Sequence, residues 1–192
     1  MPVIRTVEPA TEPITLAEAK AHARVDVATD DSLITALIVA ARNVAENELQ
    51  RAIISQTWKL VDATFPDGSN ALDLPFPTLQ SVTSVKYWNT SGVQITLTAG
   101  TDYYVDTVGQ PGQIVPVTSW PATYARPDAV EVVYVAGWAN AAAVPQSVKQ
   151  WMLLMVATMY DSRHAFGSAR DAESVRLPFV DHLLDPYRVW VL

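Results

Sequence analysis

Residues 29–62 read TDDSLITALIVAARNVAENELQRAIISQTWKLVD, and the spacing of their apolar positions changes part-way along. Up to Leu49, the residues Leu33, Ile34, Leu37, Ile38, Ala41, Val44, Ala45 and Leu49 recur at steps of three and four, which is one face of an α-helix. Arg42, Asn43, Glu46 and Glu48 fall off or beside that stripe. Asp30 and Asp31 stand where the positive end of the helix dipole favours carboxylates. From Ser55 the period is two: Trp58, Leu60 and Asp62 share one face and Thr57, Lys59 and Val61 the other, which is a strand. This handover from helix to strand divides the chain into helical ends and a sheet-forming middle.

Upstream of that stretch, Thr15 and Glu18 have the spacing of a capping box, predicting a short helix that runs to about Arg24. Ala19 and Ala23 lie on the face of Leu16, so that face is thin and packs close to a neighbour. Downstream, turn residues arrive at regular intervals. Pro66-Asp67-Gly68-Ser69-Asn70 closes a hairpin, and Pro75-Phe76-Pro77 is an extended link. Strands are predicted at Val82 to Trp88, Val93 to Leu97, Tyr103 to Asp106, Ile114 to Val117 and Val130 to Ala136, with turns at 89–92 and 109–112. Trp120-Pro121 through Arg126-Pro127 reads as an irregular loop.

Helix signals return at Val144-Pro145-Gln146, and Val148, Trp151, Met152, Met155, Val156 and Met159 form an apolar stripe. Ser168 to Arg176 is polar, of mixed charge, and expected to be mobile. A short helix from about Pro178 carries Phe179, Val180, Leu183 and Leu184 and stops near Asp185-Pro186. The final Tyr187-Arg188-Val189-Trp190-Val191-Leu192 is unusually apolar for a terminus, and Trp190 reads as an anchor for another molecule.

The 192 residues include 13 Lys plus Arg against 20 Asp plus Glu, a formal charge of −7, and no cysteine. Without cysteine there are no disulfides, thiolate metal sites or cysteine nucleophiles. The charge argues against gripping nucleic acid, because that affinity comes from Lys and Arg displacing counterions from phosphate. Residues 61–160 carry only 3 basic and 7 acidic groups, so the middle is poor in charge of either sign. No basic n-region precedes an apolar run at the start, and no apolar stretch reaches about 18 residues, so a soluble, non-secreted protein without a membrane span is expected.

Catalytic chemistry finds little support. His22, His164 and His182 have no second histidine at i+3 or i+4, the spacing that helical metal sites use. Phosphate loops and nucleophile elbows are absent from the sequence. Asp161, Ser162 and His164 are close in sequence, yet neighbours on a helix point in different directions, so Ser162 would not meet an Asp161–His164 pair. Asp30-Asp31 and Asp102 with Asp106 read as capping or solvated groups rather than acid–base pairs. Trp58, Trp88, Trp120 and Trp138 fall in or beside the sheet, where core or subunit interface is the stronger reading and a sugar-binding surface the weaker.

Several strings, in order, resemble the bacteriophage head-to-tail connector proteins, also called adaptors or head completion proteins, of long-tailed phages, prophages and gene transfer agents. They are Ile14-Thr15-Leu16-Ala17-Glu18-Ala19-Lys20-Ala21-His22-Ala23-Arg24-Val25, Asp30-Asp31-Ser32-Leu33-Ile34 and Ala40-Ala41-Arg42 with Glu46. Ser55-Gln56-Thr57-Trp58, Leu74-Pro75-Phe76-Pro77, Ser81 through Tyr87, Tyr103 to Asp106, Trp120-Pro121, Tyr134-Val135-Ala136-Gly137 and Val144-Pro145 continue the pattern. Ala23 departs from it, because such proteins usually carry leucine before the arginine, and residues 161–177 fall outside it.

The resemblance implies an α+β fold: a small helical bundle with a β-rich insertion between its second and third helices, then a C-terminal helix and extended tail. On this reading residues 1–53 are the N-terminal helical part, 54–143 the insertion, 144–166 the third helix and 167–192 a C-terminal arm. It implies a structural, non-enzymatic virion protein that needs no cofactor and is assembled in the bacterial host cytoplasm. About twelve copies would ring the head–tail interface between the portal protein and a tail-proximal stopper or tail protein, around a channel for DNA. The arm is the part that reaches the portal in this family, here Phe179, Leu183, Leu184, Tyr187, Arg188, Trp190 and Leu192. Glu46 and Glu48 are the candidate channel-lining residues, since an acidic or weakly charged channel lets a polyanion slide. The alternatives are an adhesive tail module using the tryptophan-rich sheet, and a small hydrolase using Asp161 and His164.

Overall fold

A computed structural model describes residues 2–162, 180 and 182–189. In chain order the elements are β1 (Val3–Val7), α1 (Leu16–Ala23), α2 (Asp31–Leu49), β2 (Gln56–Asp62), β3 (Leu72–Leu74), β4 (Leu79–Trp88), β5 (Gln94–Leu97), β6 (Tyr103–Asp106), β7 (Gly112–Pro116), β8 (Val130–Ala136) and α3 (Gln146–Asp161). Short 3-10 turns lie at Ala141–Ala143 and Asp185–Tyr187. The fold is a mixture of α-helices and antiparallel sheets, in two compact units: Met1–Ala10 with Ile54–Ala139, and Thr11–Ile53 with Asn140–Leu192.

In the first unit, five strands form a sheet in the order β1-β2-β8-β4-β5, and β3-β7-β6 form a smaller one. The period-two pattern of β2 buries Trp58 and Leu60, which face Tyr134 and Val132 across β8. With Val85, Val130 and Ala136 these make a core face no more than 7% exposed. Each such aliphatic side chain, fully buried, contributes roughly 1.5–3 kcal/mol. Lys59, Glu131 and Lys86 lie on the opposite face, where the Lys59 Nζ–Glu131 Oε2 pair spans 3.3 Å.

Two strands exceed what periodicity predicts. Val3–Val7, placed by sequence in the helical part, instead pairs antiparallel with β2, with Arg5 opposite Trp58. Five residues with a polar pair in the middle give no strong alternation, and only the partner strand shows them to be a strand. Leu72–Leu74 is likewise a three-residue strand beside β7, too short for a period to register.

The Pro75-Phe76-Pro77 link differs from the extended form expected before proline. Phe76 adopts φ +59, and its ring stacks on Trp58 with centroids 4.3 Å apart. Burial and stacking offset a left-handed backbone that costs roughly 1–2 kcal/mol. Gly137, at φ +111, is required for a different reason: a Cβ there would sit 2.4 Å from the Ile54 carbonyl oxygen.

In the second unit, the capping box forms as predicted. The Glu18 amide donates to Thr15 Oγ1 at 3.2 Å, and the Thr15 amide donates to Glu18 Oε2 at 2.6 Å. The Thr15 amide first, and then the Thr15 hydroxyl, which donates to the same Glu18 oxygen at 2.8 Å, hold the Glu18 carboxyl below its ordinary range. The helix ends at Arg24, whose left-handed backbone lets its N–H reach the Ala21 and Lys20 carbonyls. α2 buries Ile34, Ile38, Ala41, Ala45 and Leu49, while Leu33 and Val44, which the pattern placed on the same stripe, are exposed on its flank. α3 buries Val148, Trp151, Met152 and Val156, and the three helices pack pairwise.

Candidate functional site

The sheet tryptophans are committed to their own unit. Trp58 lies beneath Phe76, Trp120 stacks on Phe65 at 4.4 Å and donates its Nε1 hydrogen to the Asn70 carbonyl at 2.8 Å, and Trp88 has the Arg126 guanidinium 4.4 Å over its ring. No run of open aromatic faces is left for a sugar by these three. The acidic pairs have local uses too. Asp102 accepts from the Thr98 amide, and Asp106 from the Val108 and Gly109 amides. Asp30 accepts from the Tyr160 hydroxyl, and Asp31 pairs with Lys20 at 2.6 Å. Asp161 ends α3, while His164 lies outside the described residues. Among the described residues no group of three or more His, Asp or Glu is placed to hold a metal ion, and no helix is long and apolar enough to cross a membrane.

The most constructed polar arrangement lies along the second half of α2. Arg42 is 1% exposed, and its Nε donates to Glu12 Oε2 at 2.8 Å and its Nη1 to Glu46 Oε2 at 3.2 Å. The other Glu46 oxygen accepts the Ile53 amide at 3.0 Å. One guanidinium thus ties the segment before α1 to α2, and one carboxylate ties α2 to the chain that leaves it. Glu46, expected as a channel-lining residue, has a buried carboxylate engaged within its own chain. The signal was present in the sequence as the i, i+4 spacing of Arg42 and Glu46, but the apolar pattern placed both off the stripe.

The other candidate, Glu48, two residues further on and exposed, pairs with Arg188 Nη2 at 3.3 Å. Around that pair the C-terminal arm is fastened to the end of α2. The Val189 amide donates to the Leu49 carbonyl at 2.9 Å, and Arg51 Nε donates to the Tyr187 carbonyl at 3.1 Å. Arg51 is itself buried, which lowers its pKa from the ordinary arginine value. Sequence reasoning gave no role to Arg51 or Glu12, because their partners are remote in the chain.

Within the arm, Asp185 and Pro186 open the 3-10 turn, His182 Nδ1 lies 2.8 Å from Asp185 Oδ2, and Leu184 is 2% exposed. Leu184 was expected among the residues that meet another molecule. Within the described chain its side chain is buried. Leu183, Tyr187 and Arg188 are half-buried, and Phe179, Trp190 and Leu192 lie outside the described residues.

Residues 13–102 match the model of the phage gp6-like head-tail connector protein family. Over that span the chain is similar to the head-tail connectors. This span includes α1, α2, the Arg42–Glu46 pair and the sheet as far as the turn before β6. No curated protein matches the chain. Solved structures similar in fold to this connector-like chain come from gene transfer agent particles. One chain, from the neck of an empty particle computed with C6 symmetry, is 23% identical with a TM-score of 0.78, covering 100% of this chain and 98% of that one. Another, from the virion of a native particle, is 22% identical with a TM-score of 0.81 and the same coverage. A third, from the neck of a native particle computed with C12 symmetry, is 23% identical with a TM-score of 0.70 over 97% of each chain.

Proposed function

We propose that this protein is a structural adaptor of a phage-like particle, forming a ring of about twelve copies between the portal vertex and the tail and leaving a channel for DNA. The observation that carries this reading is the connector family match over residues 13–102. The likeness of fold to chains in particle necks, one of them computed with C12 symmetry, supports extending it to the whole length. In this reading the helical unit is the bundle, the sheet unit is its insertion between α2 and α3, and the role involves no catalytic step and no cofactor.

The arm is the portal-facing part. Its described section is joined to Leu49 through Val189 and to Arg51 through the Tyr187 carbonyl, which leaves Leu183, Tyr187 and Arg188, with Phe179, Trp190 and Leu192, as the contact residues. Glu48 is the acidic group of α2 that remains for the channel, and a net charge of −7 per copy gives a ring that does not hold DNA by counterion release.

Removal of residues 190–192 tests the reading, because it spares Leu184 and the bonds made by Tyr187 and Val189. The shortened chain should fold with an unchanged melting temperature and lose at least tenfold in binding to the portal encoded beside it. Unchanged portal binding would remove the arm from the proposal, and failure of the intact chain to form rings with that portal would remove the adaptor function.

A further inference from the structure

The five-stranded sheet has two open edges, and they differ. One is β1, with Ile4 53% and Val7 57% exposed, and the other is β5, entered through Val93 at 54%. Edge strands carry backbone donors and acceptors ready to pair with another chain, and proteins ordinarily guard them with Lys, Pro or covering elements. Here neither 3–7 nor 93–97 contains Lys or Pro, and both, VIRTV and VQITL, are rich in β-branched residues. The one irregularity in β1 lies between Arg5 and Val7, which leaves Val3 to Arg5 in regular register.

Charge points the same way. Two copies at −7 each repel, so contact is favoured where carboxylates are absent. Segments 3–7 and 93–97 contain no acid, and their single charge is the cation Arg5.

Direction is decided by the topology. Every pairing in β1-β2-β8-β4-β5 is antiparallel, and four reversals bring β5 back to the direction of β1. A rotation that carries one copy onto the next therefore sets β5 of the first beside β1 of the second in parallel. A two-fold axis would instead pair β1 with β1, or β5 with β5, antiparallel. A single two-fold contact stops at a dimer, whereas the first arrangement repeats one contact from copy to copy and closes into a cyclic ring.

From these observations we infer that β5 of one copy pairs in parallel with β1 of the next, so that the sheet runs on from subunit to subunit. The partner is a second copy of this chain, and the inference rests on the ring proposed above. Five strands at about 4.8 Å spacing span about 24 Å, so twelve copies close at a radius of roughly 45 Å.

The chain has no cysteine, so an introduced pair supplies its only thiols. Ile4 is opposite Lys59, and Thr96 is opposite Lys86, so both lie on the polar face of the sheet, as does Gln94 two residues from Thr96. Two double variants, Ile4→Cys with Thr96→Cys and Ile4→Cys with Gln94→Cys, bracket the register. After oxidation of rings first seen by electron microscopy, at least one should give a ladder of covalent multimers up to about twelve on a non-reducing gel, and each single variant should stay monomeric. Dimers from Ile4→Cys alone, or no ladder from either pair in rings that do form, would overturn strand pairing while leaving the adaptor function intact. Absence of rings from the unmodified chain with its portal would count against the adaptor itself. Hydrogen exchange on the unmodified protein is the independent check. Amides of Val3–Val7 and Gln94–Leu97 should exchange at least tenfold more slowly in the ring than in the monomer, and equal rates would refute the pairing.

Discussion

The two units hold themselves together by different means. The sheet unit is built on apolar burial and ring stacking: Leu60, Val85, Val132 and Tyr134 form one face, with Trp58 beneath Phe76 and Trp120 on Phe65. In the helical unit the apolar stripe of α2 is narrow and rich in alanine, and beside it a nearly inaccessible guanidinium joins Glu12 to Glu46. An apolar face tolerates loss of one contact in proportion to the area lost. A buried ion pair does not, because removing one member strands the charge of the other in a medium that solvates it poorly.

The largest effect should come from Glu46→Ala, which leaves Arg42 without its inner partner and the Ile53 amide without an acceptor. A loss of about 4 kcal/mol in chemical denaturation is expected, with Glu46→Gln retaining part of it; a loss below about 1 kcal/mol would erase the contrast between the units. Next is Leu60→Ala in the sheet core, expected to cost about 3 kcal/mol by the same measurement. Equal m-values for the two variants would show that both act on the folded state and make the comparison fair.

A smaller effect is expected at the start of α1. Thr15→Ala removes the cap and should cost about 1 kcal/mol. Because the Glu18 carboxyl is held below its ordinary range in the folded protein, its contribution is complete above the unfolded-state pKa and is lost as pH falls through the folded one. The difference in melting temperature between the unmodified chain and Glu18→Gln should therefore be steady near neutrality and shrink as pH falls below the ordinary carboxylate range. A constant difference down to acid pH would show that the box does not act through the charge. Smallest of all is Glu48→Ala, which opens a half-exposed pair with Arg188 and should change stability by about 0.5 kcal/mol. That near-neutrality makes it the suitable variant for asking whether α2 faces the channel.

Much of the fold was legible because it is local. The capping box of α1, the body of α2, the period-two strand at Gln56–Asp62 and the hairpin closed by residues 107–111 all depend on residues within a few positions of each other. What was missed is short or non-local. Val3–Val7 is a strand because β2 lies beside it, more than fifty residues later, and Phe76 turns left-handed because Trp58 offers a ring to stack on. For the candidate site, the apolar composition of the arm was legible, but the bond from Arg51 to the Tyr187 carbonyl joins residues 136 positions apart and left no local signal.

The sequence by itself determined the three helices and the longer strands, since periodicity, caps and turn residues act over one or two turns of chain. It also determined the connector pattern of residues 13–102. Tertiary structure alone decided which charges are spent inside: Glu46, buried against Arg42, and Glu48, two residues away and exposed, are chemically identical in the sequence. It also decided that the first strand and the fifth are the sheet's two edges. Both outcomes depend on remote partners, and the free energy of a charge or a strand edge is set by what surrounds it, not by its neighbours in the chain.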